Sequence, residues 1–537
     1  MTSRQAGEQE LCGLVQVPIE PLQLPCPVRG PVHRCAGAKS VHTGQNVGGN
    51  VNGMKFIHVI TVALVVAAMT TLAAKAQTNA GKKLVVREIS LGKMPPMVTS
   101  GKPVVSPDNR RVAYRVMHGG KYCVALNGEA GKPYAVVEDL TFSPDGKKLA
   151  FVAKKGFRRE VVVLDGEEGK EYQYVDIASL TFSPDSSRLA FIAAPLGGTN
   201  SFVVLGDKEG ADYSGFQLAD PDKPVMLFFS PDGRKLAYGA ARETAEENYD
   251  YEVVIEGANR KGFPAPGPII VHGFSPDSQH LAWSAKLPGK WQVVIDGKRS
   301  KEYDEIGLNT FRFSPDGMRW AYVARRTRKW LVVDKAHEGP GYDGISDLSL
   351  SVSAAGGRLA YVARRGEKQW VVVDGQEQAE YDGVDAGSLQ FSPDGQHVAF
   401  SAMRDRQHFV VRDGKESEPY DGSRGVLFFS PDSQRLAYVA DRGGRSRFVL
   451  DGIEGRDYEG MAEGWACFSP DSKHLAYGAI RDGKTAIVVD DQEIAQYWGN
   501  LGKLAFESTN RLSGVVTRIG DKFDVEIVRL EIEIPAR

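Results

Sequence analysis

The chain has 537 residues, 42% of them hydrophobic and 25% charged, a composition that excludes a wholly disordered or fibrous protein and fits an ordinary globular one. Its formal net charge of -2 argues against a dominant nucleic-acid-binding surface, so no nucleic acid is expected as a partner.

Residues 1–53 hold three of the five cysteines, with scattered prolines and glycines and no sustained periodicity. They read as a disordered or mis-assigned extension. Met54 opens a different stretch: Lys55 gives a short positive region, Phe56 to Ala68 is mainly apolar, and Ala74-Lys75-Ala76 has the small-x-small form of a cleavage site. Residues 54–76 are therefore expected to be a signal peptide cut before Gln77, with Met54 as the true start. The alternative is an uncleaved amino-terminal anchor, for which Phe56 to Ala74 is barely long enough and is interrupted by His58 and threonines. Cleavage would leave no stable membrane span and only Cys123 and Cys467, which suits a periplasmic protein with a core large enough to need no disulfide.

Residues 77–100 form a lead-in whose run Lys82–Leu91 reads as a strand, and residues 101–537 are repeats. Ser-Pro-Asp recurs with its serine at 106, 143, 183, 230, 275, 314, 392, 430 and 469, and degenerate copies at Ser353 and Ser508 bring the total to eleven. Successive serines stand 37 to 47 residues apart, and a period near forty with four strands per unit is the propeller pattern. The eighth repeat, Leu389–Gly422, shows the physics. Its first run ends at Ser392-Pro393-Asp394-Gly395, where proline presets one turn dihedral, aspartate bonds back to the backbone and glycine takes the last position. The run His397–Ala402 is apolar or small almost throughout, as a strand covered on both faces reads. His408–Arg412 ends in Asp413-Gly414, a hairpin dipeptide, and a polar fourth strand ends at Tyr420-Asp421-Gly422. Such a sheet cannot bury its faces alone and must stack on its own kind.

Phe142–Phe151, Phe182–Phe191, Phe229–Tyr238, Phe313–Tyr322 and Phe429–Tyr438 each carry an aromatic residue, Ser-Pro-Asp, a cation and Leu-Ala-Phe, Leu-Ala-Tyr or a near variant. This pattern resembles the TolB-like branch of the WD40-like β-propellers and covers roughly residues 100 to 510. The eleven repeats predict an all-β propeller of about eleven four-stranded antiparallel blades, and the resemblance implies a ring that serves as a docking platform for envelope proteins. No counterpart of that family's amino-terminal α/β domain is evident, so only the propeller carries over.

One ring usually holds about four to eight blades. Two packed rings are therefore expected, with one very large ring as the alternative, and the insertions around Asp220–Lys223 and Glu243–Asp250 are candidate junctions. The last repeat offers strands at Arg511–Arg518 and Phe523–Ile534 but lacks a fourth, which the lead-in strand is expected to supply.

No Gly-x-Ser-x-Gly elbow, Walker loop, CxxC pair or HExxH motif occurs, so no catalytic, cofactor-binding or metal-binding residue is assigned and a non-enzymatic protein is expected. His280, His397 and His474 stand five residues after the repeat serine, where other repeats carry Lys or Arg, and read as turn residues pairing with an aspartate. Phe202, Trp291, Trp330, Trp370, Phe409 and Phe448 open third strands and read as inter-blade packing rather than base- or sugar-stacking platforms. The ring is thus read as an exported scaffold that binds a protein or peptide in the cell envelope. The alternative is a carbohydrate-binding or carbohydrate-active propeller that uses its channel.

The candidate site comes from topology. In an up-and-down blade the turn between strands two and three shares a face with the crossing to the next blade. Those turns carry Lys154, Lys155, Arg158 and Arg159; Arg325, Arg326, Arg328 and Lys329; Arg364 and Arg365; Arg404 and Arg406; Arg442, Arg445 and Arg447; and Arg481. The crossings add Glu138, Asp139, Asp176, Asp347, Asp385 and Glu463. The arc is read either as a salt-bridged rim kept charged for solubility or as a landing surface for an anionic partner, an acidic peptide or a polysaccharide.

Overall fold

Each Ser-Pro-Asp turn is held by the serine hydroxyl. In blade 8, Ser392 Oγ donates to Asp394 Oδ1 at 2.5 Å and accepts from the His397 amide at 2.9 Å, closing the reversal between strands one and two. The residue after the aspartate lies in the left-handed region, with φ of 73° at Gly395. Ser186, Ser278, Ser433 and Ser472 replace that glycine at φ of 60° to 67°, a strained setting for a residue with a Cβ. Their hydroxyls supply the compensation, because each accepts the aspartate amide of the preceding blade, as Asp394 N donates to Ser433 Oγ at 2.9 Å.

The computed structural model describes residues 84–94, 102–216, 226–244, 248–257, 261–307, 309–354, 357–519 and 524–535. Residues 1–53, expected to be an extension, residues 54–76, expected to be a signal peptide, and the insertion at 220–223 lie outside them. Among the described residues there are eleven antiparallel sheets and no helix. Blade 8 runs Gly383–Phe391, Val398–Arg404, Gln407–Arg412 and Lys415–Glu416, hydrogen-bonded in that order, and Tyr420 returns to bridge His408. Its second strand buries five consecutive residues, Val398 to Ala402, while the fourth is exposed, so the uninterrupted apolar run reflects cover on both faces.

The blades stack through eleven apolar cores, each shared by two neighbours. Ala399 and Val410 of blade 8 meet Leu436, Tyr438 and Val449 of blade 9, for example. The last core joins Leu91, Val515 and Ile527 of blade 11 to Val112, Tyr114 and Ala125 of blade 1. Eleven blades with eleven shared cores make one closed ring, which corrects the expectation of two. The physical reason is that adjacent sheets pack about 10 Å apart whatever their number, so additional blades enlarge the ring without loosening it. The leucine and the aromatic residue of the Leu-Ala-Phe and Leu-Ala-Tyr runs, such as Leu149 and Phe151, Leu236 and Tyr238, and Leu475 and Tyr477, are buried in these cores.

Closure uses the amino-terminal strand. Val85–Met94 pairs antiparallel with Val525–Glu533, which pairs with Arg511–Ile519, so the lead-in strand is the missing fourth strand of blade 11. Joining the first and last described strands in one sheet leaves no open edge between the first and last blades. First strands of successive blades approach one another, as Val136–Phe142 does Tyr174–Phe182, so the blades converge at their first strands. The ring is widest at its fourth.

Candidate functional site

The face that carries the candidate arc is fixed by the aspartate after each blade's tyrosine. Asp304, on the crossing from blade 5 to blade 6, accepts Lys290 Nζ of the turn behind it at 2.5 Å and the Thr327 amide of the turn ahead at 2.9 Å. Asp343 does the same with Lys329 at 2.6 Å and Gly366 at 2.9 Å, and Asp382 with Lys368 at 2.7 Å and Asp405 at 2.8 Å. Crossings and second-to-third turns therefore share one face. The lysine in each pair, followed by the donated amide, holds the carboxyls of Asp304, Asp343 and Asp382 below the ordinary aspartate range. Sequence reasoning did not single out these caps; the repeated Tyr-Asp dipeptide was the available signal.

A second set of contacts repeats behind the turns. Arg326 pairs with Glu338 at 2.7 Å, and Tyr303 of the preceding blade donates its hydroxyl to the same Glu338 at 3.2 Å. Arg365, Glu377 and Tyr342 repeat this arrangement, as do Arg404, Glu416 and Tyr381. Arg481 pairs with Glu493 at 2.6 Å and lies 4.7 Å from the ring centre of Tyr458. In blade 2 Lys155 takes the arginine's place, bound to Glu168 at 3.1 Å while Tyr134 donates to that carboxylate at 3.1 Å. Burial, and then Glu168, push the Tyr134 phenol up to about 12. Tyrosine comes from one blade and the ion pair from the next, so this trio staples neighbours together. The twelve-residue interval from arginine to glutamate, constant at 326/338, 365/377, 404/416, 442/454 and 481/493, was legible in the sequence.

Most of the predicted arc is consumed in this way. Lys154 is held by Glu138 at 3.2 Å and Glu160 at 3.4 Å, Arg159 by Glu171 at 3.7 Å, Arg325 by Glu305 at 2.7 Å and Lys329 by Asp343. Arg442 and Arg447 share Glu454. Five cations of the arc, Arg158, Arg328, Arg364, Arg406 and Arg445, are exposed and make no ion pair among the described residues. Four of them stand on consecutive blades, 6 to 9. Of the crossing acids, Glu138 is taken by Lys154, while the side chain of Glu463 lies outside the description.

Two clefts open between first strands beside this sector. One, of about 400 Å³, lies between blades 6 and 7 and is lined by Glu305, Ile306, Gly307, Asn309, Trp330, Ile345 and Asp347. The next, of about 310 Å³, lies between blades 7 and 8, and Arg364 and Gln369 form its polar wall.

The remaining sequence candidates are structural. His280, His397 and His474 bond through Nδ1 to Asp296, Asp413 and Asp490 at 2.6, 2.7 and 2.7 Å, each the aspartate that opens the blade's own turn between strands three and four, Asp-Gly in the first two and Asp-Asp in the third. Phe202, Phe409 and Phe448 sit in inter-blade cores, and Trp291 and Trp330 each pack against one, whereas Trp370 belongs to none and lies half-buried with the Arg365 guanidinium 5.8 Å from its ring centre. Cys123 and Cys467 are buried free thiols, and burial pushes Cys467 up to about 12. No cluster of potential metal ligands occurs among the described residues.

No family model matches the chain, and no curated protein matches it. Solved structures similar to it include a eukaryotic initiation factor, at 14% identity and TM-score 0.35, covering 65% of this chain and 94% of that one. TolB from Acinetobacter baumannii is 14% identical at TM-score 0.24, covering 50% of this chain and 75% of that one. The β-propeller domain of the Trilobed protease from Pyrococcus furiosus is 15% identical at TM-score 0.27, covering 52% and 96%. Blade count and closure rest on the chain's own sheets and cores.

Proposed function

We propose that this propeller is an exported, non-enzymatic scaffold of the cell envelope that binds an acidic protein or peptide across blades 6 to 9. The observation that carries the reading is the run of four unpaired guanidiniums, Arg328, Arg364, Arg406 and Arg445, on a rim whose other charges are mostly neutralised. Unpaired cations steer an anionic partner at long range, and the adjoining clefts offer partly apolar recesses for its side chains. Repeating ion pairs behind the turns keep the platform rigid, which lowers the ordering cost of binding.

The test is capture from envelope extract with wild-type protein and with the fourfold variant R328E/R364E/R406E/R445E. An acidic partner retained by the wild type and lost by the variant, with a salt-sensitive association rate, is the expected result. Equal capture by both proteins would refute the assignment of the arc. For export, the amino-terminal sequence of the protein from its natural host should begin at Gln77; recovery of residues 1–53 would overturn that part.

A second reading draws on the larger cleft. Trp330 with Glu305, Asn309 and Asp347 is the kind of aromatic and polar lining that holds a sugar ring. Glu305 is, however, already bound to Arg325. Oligosaccharide titration monitored by Trp330 fluorescence, with Trp330→Phe as the control, separates this reading from the first.

A further inference from the structure

The same face changes character around the ring. On blades 6 to 10 the second-to-third turns carry charged residues, from Arg326–Lys329 to Arg481–Lys484. On blade 1 Met117, near the end of the second strand, and on blades 2 and 3 the turn residues Phe157 and Leu196 are 47%, 89% and 53% exposed. Blade 11 continues the series with Ile519 at the end of its second strand, and Trp498, on the crossing into that blade, lies half exposed with Lys484 Nζ 5.2 Å from its ring centre. None of these side chains belongs to an inter-blade core. A single exposed apolar residue is ordinary, but a succession on four adjoining blades of one face marks an interaction surface.

The geometry points to a lipid surface. The apolar groups stand at or beside the hairpins of separate blades, about one sheet spacing, ~10 Å, apart, and are exposed instead of packed into a core. A folded partner would need a continuous complementary patch, whereas a bilayer deforms around isolated projections. Phenylalanine and leucine enter the acyl boundary, and tryptophan settles at headgroup level. Charge agrees: Lys121 and Arg158, on the turns beside Met117 and Phe157, are exposed without a carboxylate partner among the described residues, and Arg158 lies 5.3 Å from the Phe157 ring centre. Neighbouring Lys155 and Arg159 are occupied by Glu168 and Glu171. We propose that the turn tips of blades 11, 1, 2 and 3 form a docking edge that seats the ring on an anionic membrane surface. This inference goes beyond the protein-binding reading and does not depend on it.

The test uses the chain from Gln77 onward, which keeps every strand of the closed ring from Val85 and removes the apolar segment 56–74. It should co-sediment with phosphatidylcholine vesicles containing phosphatidylglycerol and only weakly with phosphatidylcholine alone. The triple variant M117S/F157S/L196S should partition on the order of tenfold less or weaker, at an unchanged thermal midpoint because these positions lie outside the cores. K121E/R158E should lose binding chiefly at low salt. Brominated lipid should quench wild-type fluorescence more than that of Trp498→Phe. Failure of the wild type to sediment, or equal sedimentation of the triple variant, overturns the proposal. An envelope protein captured by wild type and lost by the triple variant, without vesicle binding, would mark a protein interface and overturn it equally.

Discussion

Tyr497 donates its hydroxyl to Glu88 at 2.7 Å, joining residues 409 positions apart in the sequence. Arg518 reaches the other oxygen of the same carboxylate at 2.7 Å. Glu88 thus occupies in blade 11 the place that Glu338, Glu377 and Glu416 hold in blades 6 to 8, and the amino-terminal strand brings with it the glutamate each blade needs. Closure therefore joins a hydrogen-bonded strand edge to a side-chain staple.

Removing that staple should weaken the ring. Glu88→Ala leaves the Tyr497 hydroxyl and the Arg518 guanidinium without their shared acceptor and is expected to cost about 1–3 kcal/mol. Chemical denaturation measures it, and a midpoint equal to wild type would show that the strand pairing alone closes the ring.

The cores make a larger demand. Leu436 lies 4% exposed between blades 8 and 9, so Leu436→Ala should destabilise by about 2–5 kcal/mol. An unchanged denaturation midpoint would contradict its assignment to a packed core.

Paired and unpaired cations of the rim should part company. Arg326→Glu sets a carboxylate against Glu338 and should lower stability by about 1 kcal/mol. Arg328→Glu, two residues away on the exposed tip, should leave the thermal midpoint unmoved. Equal effects of the two would mean that the ion pair contributes nothing to inter-blade packing.

Acid should loosen the Ser-Pro-Asp turns. The Ser183 hydroxyl, then the Ser187 amide and hydroxyl, lower the Asp185 carboxyl to about 2, and Asp232, Asp277, Asp394 and Asp432 are lowered for the same reason. A carboxyl with a depressed folded pKa favours folding above its unfolded value of about 3.9 and loses that contribution as pH falls towards the folded value. Unfolding free energy should therefore decline between about pH 4 and pH 2, with a shallower slope in Asp185→Asn. An identical slope in that variant would remove the turn from the account.

The repeats by themselves determined the all-β class, the eleven blades, the buried Leu-Ala-Tyr strands and the completion of blade 11 by the lead-in strand. These features are local: turn chemistry and apolar runs recur within about forty residues, so each copy states them again. Whether the eleven blades make one ring or two was not legible, because that depends on the angle between neighbours summed over all blades, and no single repeat encodes that sum. The pairing of Arg326, Arg365 and Arg404 was half legible, since their glutamates recur at a fixed interval while the tyrosine that completes each trio comes from another blade. The exposed tips were hidden for a different reason. Phe157 and Phe151 are the same residue in one repeat, and only the stacking of blades 1 and 2 decides that Phe151 is buried while Phe157 faces solvent.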